Sequence, residues 1–210
     1  MPRLTGSATP QVMFVDLTAI ISVYYTAPDF CVVNGPQFDL VFYTTTAAAI
    51  SGVVGTLVSI YKARHLRNWN TRLLVQCATL VRIFGSATDI SIAKRWNLAI
   101  GLSDKGAFLM GDAMVTPIGI MISTIALAAF SSKTVYKNRE TVTYSIVTSW
   151  QNLGVAVSRI VGLLLMDAFN VRGDLQDGCN LDGYVPLLIL GHVVLPLFNF
   201  PLSYMLIANT

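Results

Sequence analysis

Apolar residues along this chain come in long blocks separated by short polar or turn-forming stretches, the pattern of helices that cross lipid and not the two-residue alternation of a half-buried strand. Six blocks stand out, at 11–27, 38–61, 73–93, 107–130, 141–168 and 184–207. A helix needs roughly 20 residues to cross the hydrocarbon core, so 210 residues hold about six spans with short connections and no sizeable soluble domain. The pattern predicts an all-α integral membrane protein, a single membrane domain over residues 1–210 with about six transmembrane helices. The first block stops at Pro28-Asp29, a turn-forming pair, and is the weakest. Gly52 and Gly55, bracketed by Ala and Ser, predict close helix packing in the second; Pro117 and Gly119 predict a kink in the fourth.

Composition agrees. At 54% hydrophobic and 12% charged, with a mean hydropathy of +0.62, the chain lies well outside the soluble norm of about 25% charged residues. The net charge of +3 is no nucleic-acid signature, because the basic residues sit in short connections and form no single basic face. Counted by alternation, one side holds Arg3, Lys62, Arg64, Arg67, Arg72, Lys133, Lys137 and Arg139, and the other Lys94, Arg95, Lys105 and Arg172. The positive-inside rule then puts both chain ends in the cytoplasm, and we expect the plasma membrane as the location. Asp16 interrupts the first block, which makes it a poor signal peptide and a retained span. The short lead Met1-Pro2-Arg3 leaves no room for a preceding domain and raises the expectation of a partial gene product.

The informative polar residues are those inside the apolar blocks. Charges at bilayer depth cost several kcal/mol by most estimates, so they face a polar cavity or a partner and mark a substrate or ion route. Arg82 and Asp89 are seven residues apart, within about 20° of each other on one helix face. Asp112 enters the next, antiparallel span from the same end, at a depth where it meets Asp89 if the helices adjoin. On the fifth span Asn152 and Arg159 repeat the seven-residue spacing, beside Gln151 and Trp150. The functional reading puts Arg82 and Arg159 in a cavity as fixed guanidinium groups for an anionic or carbonyl-bearing substrate, with Asp89 or Asp112 as proton or counter-ion sites and Trp150 stacking on a planar ligand. The plainer reading is that these charges neutralise one another and lock the bundle. Asp16 and Asp167, nearer span ends, are read as solvated at the interface.

Cys31 and Cys179 fall in connections assigned to the outside, where a disulfide between them is permitted; Cys77, within a span, reads as a packed thiol. No metal site is expected, because the cysteines have no paired ligand spacing and His65 and His192 lie far from them. No cofactor is implied. An intramembrane enzyme using Asp89 and Asp112 as paired acids lacks an accompanying nucleophile or ligand set, so the chain is read as no enzyme.

Several short segments then carry a resemblance. They are Gly35-Pro36-Gln37-Phe38 leading into Phe42-Tyr43, Lys94-Arg95-Trp96-Asn97, Gly101 to Lys105, Gly111-Asp112-Ala113, Gln151-Asn152-Leu153-Gly154, Ser158-Arg159, and Gly162 to Asp167. In this order and spacing the chain resembles the carboxyl-terminal half of the folate-biopterin transporter family, a branch of the major facilitator carriers that includes trypanosomatid pteridine transporters. The resemblance implies a carrier of pterins or folates, with proton coupling, in which two six-helix halves rock around a midplane site. It singles out Asp112 and Arg159. Where the family pattern shows Ala-Gly-Phe before Gln-Asn, this chain has Thr148-Ser149-Trp150. The expected partners are a pterin or folate, a proton, the lipid bilayer, and an amino-terminal half or a second copy, with no nucleic acid. The alternatives are a non-transporting half-carrier that binds a full-length relative, and a carrier of another metabolite such as S-adenosylmethionine.

Overall fold

A computed structural model describes residues 12–65, 70–134, 140–174 and 178–206. Arg3, Arg67, Lys137 and Arg139, on which the orientation partly rests, lie outside the described residues, as do the first residue of the block at 11–27 and the last of that at 184–207. Among the described residues four helical stretches are long and apolar enough to cross a membrane: Phe42–Tyr61, Thr71–Ala93, Asp104–Ala128 and Tyr184–Met205. They coincide with the second, third, fourth and sixth apolar blocks.

The first block differs from a plain span. Its helix, α1, covers Thr18–Thr26, about 13 Å of rise and too short for the hydrocarbon core. Before it Phe14–Leu17 is non-helical. Asp16 opens α1, its Oδ1 accepting from the Thr18 amide at 3.2 Å and the Thr18 hydroxyl at 2.7 Å. The turn so formed orients the chain as it enters the helix at Thr18. It also gives Asp16, whose side chain is partly exposed, a local structural role.

Asp39 opens the next helix, its Oδ2 accepting from the Val41 and Phe42 amides. A π turn at Phe42–Thr46 leads into α2, Ala47–His65. Helix α3, Thr71–Ala93, is capped by Asn70, whose side chain accepts from the Arg72 amide at 2.9 Å. It ends at Ala93, and Arg95, with a φ of +61°, turns the chain into the short α4, Trp96–Ala99. Helix α5, Asp104–Phe108, runs through a second π segment, Leu109–Val115, into α6, Thr116–Thr134. Helix α7, Glu140–Ala168, occupies the fifth block. A small antiparallel hairpin follows, β1 (Arg172–Asp174) on β2 (Gly178–Asn180), with Gly173 opposite Cys179. The last block is α8 (Tyr184–Ile189), a third π segment (Leu190–Val194), α9 (Leu195–Leu197) and α10 (Asn199–Leu206). Apart from that hairpin the described architecture is all-α.

Helix α3 is the centre of the fold, packed along its length by α6 and also touched by α8, α9 and α10. Two glycines on the partner side make the approach feasible. A β-carbon at Gly111 would overlap the Thr88 side chain, and one at Gly119 would lie 2.5 Å from Arg82 Cγ. Of the two glycines expected to pack closely on α2, Gly55 meets the Met121 side chain at 3.5 Å from where its β-carbon would be, while at Gly52 nothing among the described residues lies within 4 Å. The main core is aromatic. Tyr25, fully buried, stacks on Phe38 at 5.3 Å between centroids and meets Phe108 edge-on at 5.0 Å, while Tyr24 stacks on Tyr184 at 4.3 Å. Cys31 is joined to Cys179 in a disulfide with 5.3 Å between α-carbons, tying the segment after α1 to β2. Cys77 is a free, half-buried thiol.

Candidate functional site

Arg82, Asp89 and Asp112 line one cavity of about 260 Å³ between α1, α3, α6, α7 and the third π segment. The seven-residue spacing on α3 thus does put Arg82 and Asp89 on a common stripe. The glycine contacts above bring the α6 side close enough for Asp112 to join them.

Asp89 is 4% exposed, and its Oδ1 accepts a 2.6 Å hydrogen bond from the Tyr25 hydroxyl. The aromatic stack behind Tyr25 holds that hydroxyl in place. Arg82 presents a different environment. Its guanidinium carbon lies 3.6 Å from the centroid of the Phe14 ring, a cation–π contact, and among the described residues it makes no ion pair or hydrogen bond. The reading in which Arg82 and the aspartates merely neutralise one another therefore does not describe Arg82.

Each π segment delivers one side chain to the cavity: Tyr43, Asp112 and His192. Two of these segments have a proline cause. Pro117, at the second position of α6, has no N–H for the Ala113 carbonyl, and the Ser51 hydroxyl donates to that carbonyl at 3.2 Å instead. Pro196 sits just past the third segment and leaves the His192 carbonyl without its helical donor in the same way. The widened turns re-aim the residues ahead of each proline.

The charges alone do not point to His192, although a titratable side chain in an apolar block is a functional signal of the same kind. Its Nε2 donates to the Val15 carbonyl at 2.9 Å, and its Nδ1 faces the Ser86 hydroxyl at 3.3 Å. Ser158 holds the same segment from α7: its hydroxyl donates to the Phe14 carbonyl and accepts from the Asp16 amide, each at 2.8 Å. The non-helical stretch is therefore clamped from two sides and lines the cavity with Phe14, Val15, Asp16 and Leu17.

The polar stripe expected on the fifth span points elsewhere. Val155 and Ser158 face the cavity, whereas Arg159 does not line it; its side chain is 69% exposed and its Nε pairs with Asp16 Oδ2 at 3.0 Å. Gln151 and Asn152 are also off the cavity, and Trp150 lies in a shallow depression with Ser145, Ile146, Ser149 and Leu153. A seven-residue repeat identifies residues that share a face but not which face is covered.

Two segments that carried the resemblance lock a turn. Arg95 Nη1 and Asp104 Oδ2 form an ion pair at 2.6 Å, and Asn97 Nδ2 donates to Asp104 Oδ1 at 2.7 Å and to the Leu102 carbonyl at 3.1 Å. They fix the connection between α3 and α5, and so where Asp112 stands relative to Asp89.

The family model described as the BT1 family matches residues 8–210. A protein of Arabidopsis thaliana named "Probable folate-biopterin transporter 6" is 25% identical over 169 residues, which is 76% of this chain and 32% of that protein. The chain thus spans about a third of the length of this curated relative. No solved structure matches.

Proposed function

The chain belongs to the BT1 family of membrane transporters, which are not enzymes, and from that premise we propose that it forms part of a carrier for pteridines and folates, with the cavity of Arg82, Asp89 and Asp112 as the substrate site. The observation that carries the reading is Arg82, a fixed cation lining a cavity with no protein anion paired to it among the described residues. A pterin ring presents adjacent N–H donors that match a carboxylate, and folate adds carboxylates that match a guanidinium. Arg82 and Asp89 stand about 10 Å apart along α3, a separation suited to opposite ends of such a ligand.

The chain is a multi-pass integral membrane protein. Within this reading it supplies a carboxyl-terminal six-helix half of a major facilitator carrier, works by alternating access, and resides in the plasma membrane with the disulfide-bearing side outward, where oxidation is favoured. The open face of α2 around Ala48, Ala49, Gly52 and Thr56 supports association with an amino-terminal half. The same face also favours a second reading, a half-carrier that binds a full-length relative without transporting. Proton coupling is assigned to Asp112.

The test is binding of radiolabelled folate and biopterin by the purified chain, followed by uptake in cells with and without a candidate amino-terminal half. Arg82→Gln is expected to weaken folate binding about tenfold, the equivalent of one lost charge-assisted hydrogen bond. Binding unchanged by that substitution contradicts the assigned site. Uptake without dependence on the proton gradient in Asp112→Asn is the expected signature of coupling through Asp112; an unaltered dependence excludes it. A chain that binds a full-length relative but supports no uptake with any amino-terminal half favours the second reading.

A further inference from the structure

We infer that Phe14 is a positioning and specificity residue, which by stacking on Arg82 leaves the edge of the guanidinium for a planar carboxylate and so favours carboxylate-bearing substrates over neutral ones; the inference rests on the cavity being the substrate site. An arginine side chain carries its N–H donors in the plane of the guanidinium, and a ring against its face restrains that plane without consuming them. The Arg82 guanidinium carbon lies 3.6 Å from the centroid of the Phe14 ring, a distance at which an edge-on guanidinium would overlap the ring, so the approach is face to face. The stem of Arg82 is held as well, because Cγ packs where Gly119 has no side chain.

Phe14 itself is fixed by its backbone. It is 6% exposed and sits in the non-helical stretch ahead of α1, where Ser158 takes up the Phe14 carbonyl and the Asp16 amide. His192 secures the next carbonyl, and since a carbonyl only accepts, Nε2 carries the proton and Nδ1 is left to accept from Ser86. The stretch thus supplies a rigid aromatic surface, and the plane of Arg82 follows from it. A carboxylate makes paired hydrogen bonds to such an edge, while the hydroxyls of a neutral side chain have no matching geometry.

The experiment compares dissociation constants of the purified chain for tritiated folate, which carries carboxylates, and tritiated biopterin, which carries none. Phe14→Leu keeps apolar bulk and removes the aromatic face. The ratio of the folate constant to the biopterin constant is expected to rise about tenfold, the scale of a desolvated cation–π contact. Phe14→Tyr, which keeps the face, is expected to hold the original ratio. Equal weakening for both probes, or an unchanged ratio, overturns the inference. Ser158→Ala frees the backbone while leaving the ring, and should move the ratio in the same direction; if Phe14→Leu yields no folded protein, an unchanged ratio in Ser158→Ala overturns the inference on its own. A wild-type chain that binds neither probe contradicts the proposed function, and this inference with it, whereas a wild-type chain that binds both separates the two questions.

Discussion

Asp89 lines the cavity while bonded to a buried partner, and the Tyr25 ring that carries the donating hydroxyl is held in a three-ring cluster with Phe38 and Phe108. Tyr25→Phe removes that donor with little change in shape. It should destabilise the protein by about 1–2 kcal/mol and weaken substrate binding, measured by thermal melting and folate titration; unchanged binding would make Tyr25 a packing residue only. At this scale the charged residues were legible from sequence, because Arg82, Asp89 and Asp112 break apolar runs where lipid tolerates no lone ion. Phe14 and Ser86 were not, since an aromatic ring and a serine are ordinary in a membrane helix; Ser158 stood in a segment that carried the resemblance, but only the clamped stretch gives it a role. Arg159 shows the converse: the charge was visible, but its exposure and its pairing with Asp16 depend on how α7 is rotated, which the spacing does not fix.

The helices owe their functional shape to interruptions. Three π segments and one non-helical stretch put Tyr43, Asp112, His192 and Phe14 on the cavity wall, and a regular helix through any of them would turn its side chain away. Pro117→Ala tests this directly. Restoring an N–H at that position lets the Ala113 carbonyl take its helical bond in place of the one from Ser51, and closing the wide turn rotates Asp112 by about 100° relative to α6. We expect melting temperature to hold or rise while substrate binding falls about tenfold. Binding retained at full strength would show that the π segment does not position Asp112. The sequence announced a kink near Pro117, but a proline signals only that one backbone bond is missing, and whether the helix bends or widens is decided by what approaches the freed carbonyl. In the first block the same logic fails from sequence, because no proline or glycine marks residues 14–17; the break is held by long-range partners on α7 and the third π segment.

Across the whole molecule, a disulfide closes a loop of 148 residues between the segment after α1 and the hairpin after α7. Cys31→Ser is expected to lower stability by about 2–4 kcal/mol and to change mobility on non-reducing gels. An unchanged melting temperature would show that the hairpin is held by other contacts. The distribution of apolar blocks made the all-α membrane architecture legible, since hydrocarbon admits few other solutions. The pairing of helices was less so: glycines on α2 looked like the tight contact, yet those at Gly111 and Gly119 make it, because a small residue permits close approach without saying to which neighbour. As a carrier, the chain needs the cavity of Arg82, Asp89 and Asp112 to be wet and open to substrate. The most direct measurement of this is labelling of Ser86→Cys, in a background with Cys77 replaced, by a membrane-impermeant charged thiol reagent with and without folate. We predict that the site is labelled and that folate protects it; a site that stays unlabelled, or is labelled at the same rate with saturating folate, contradicts the account.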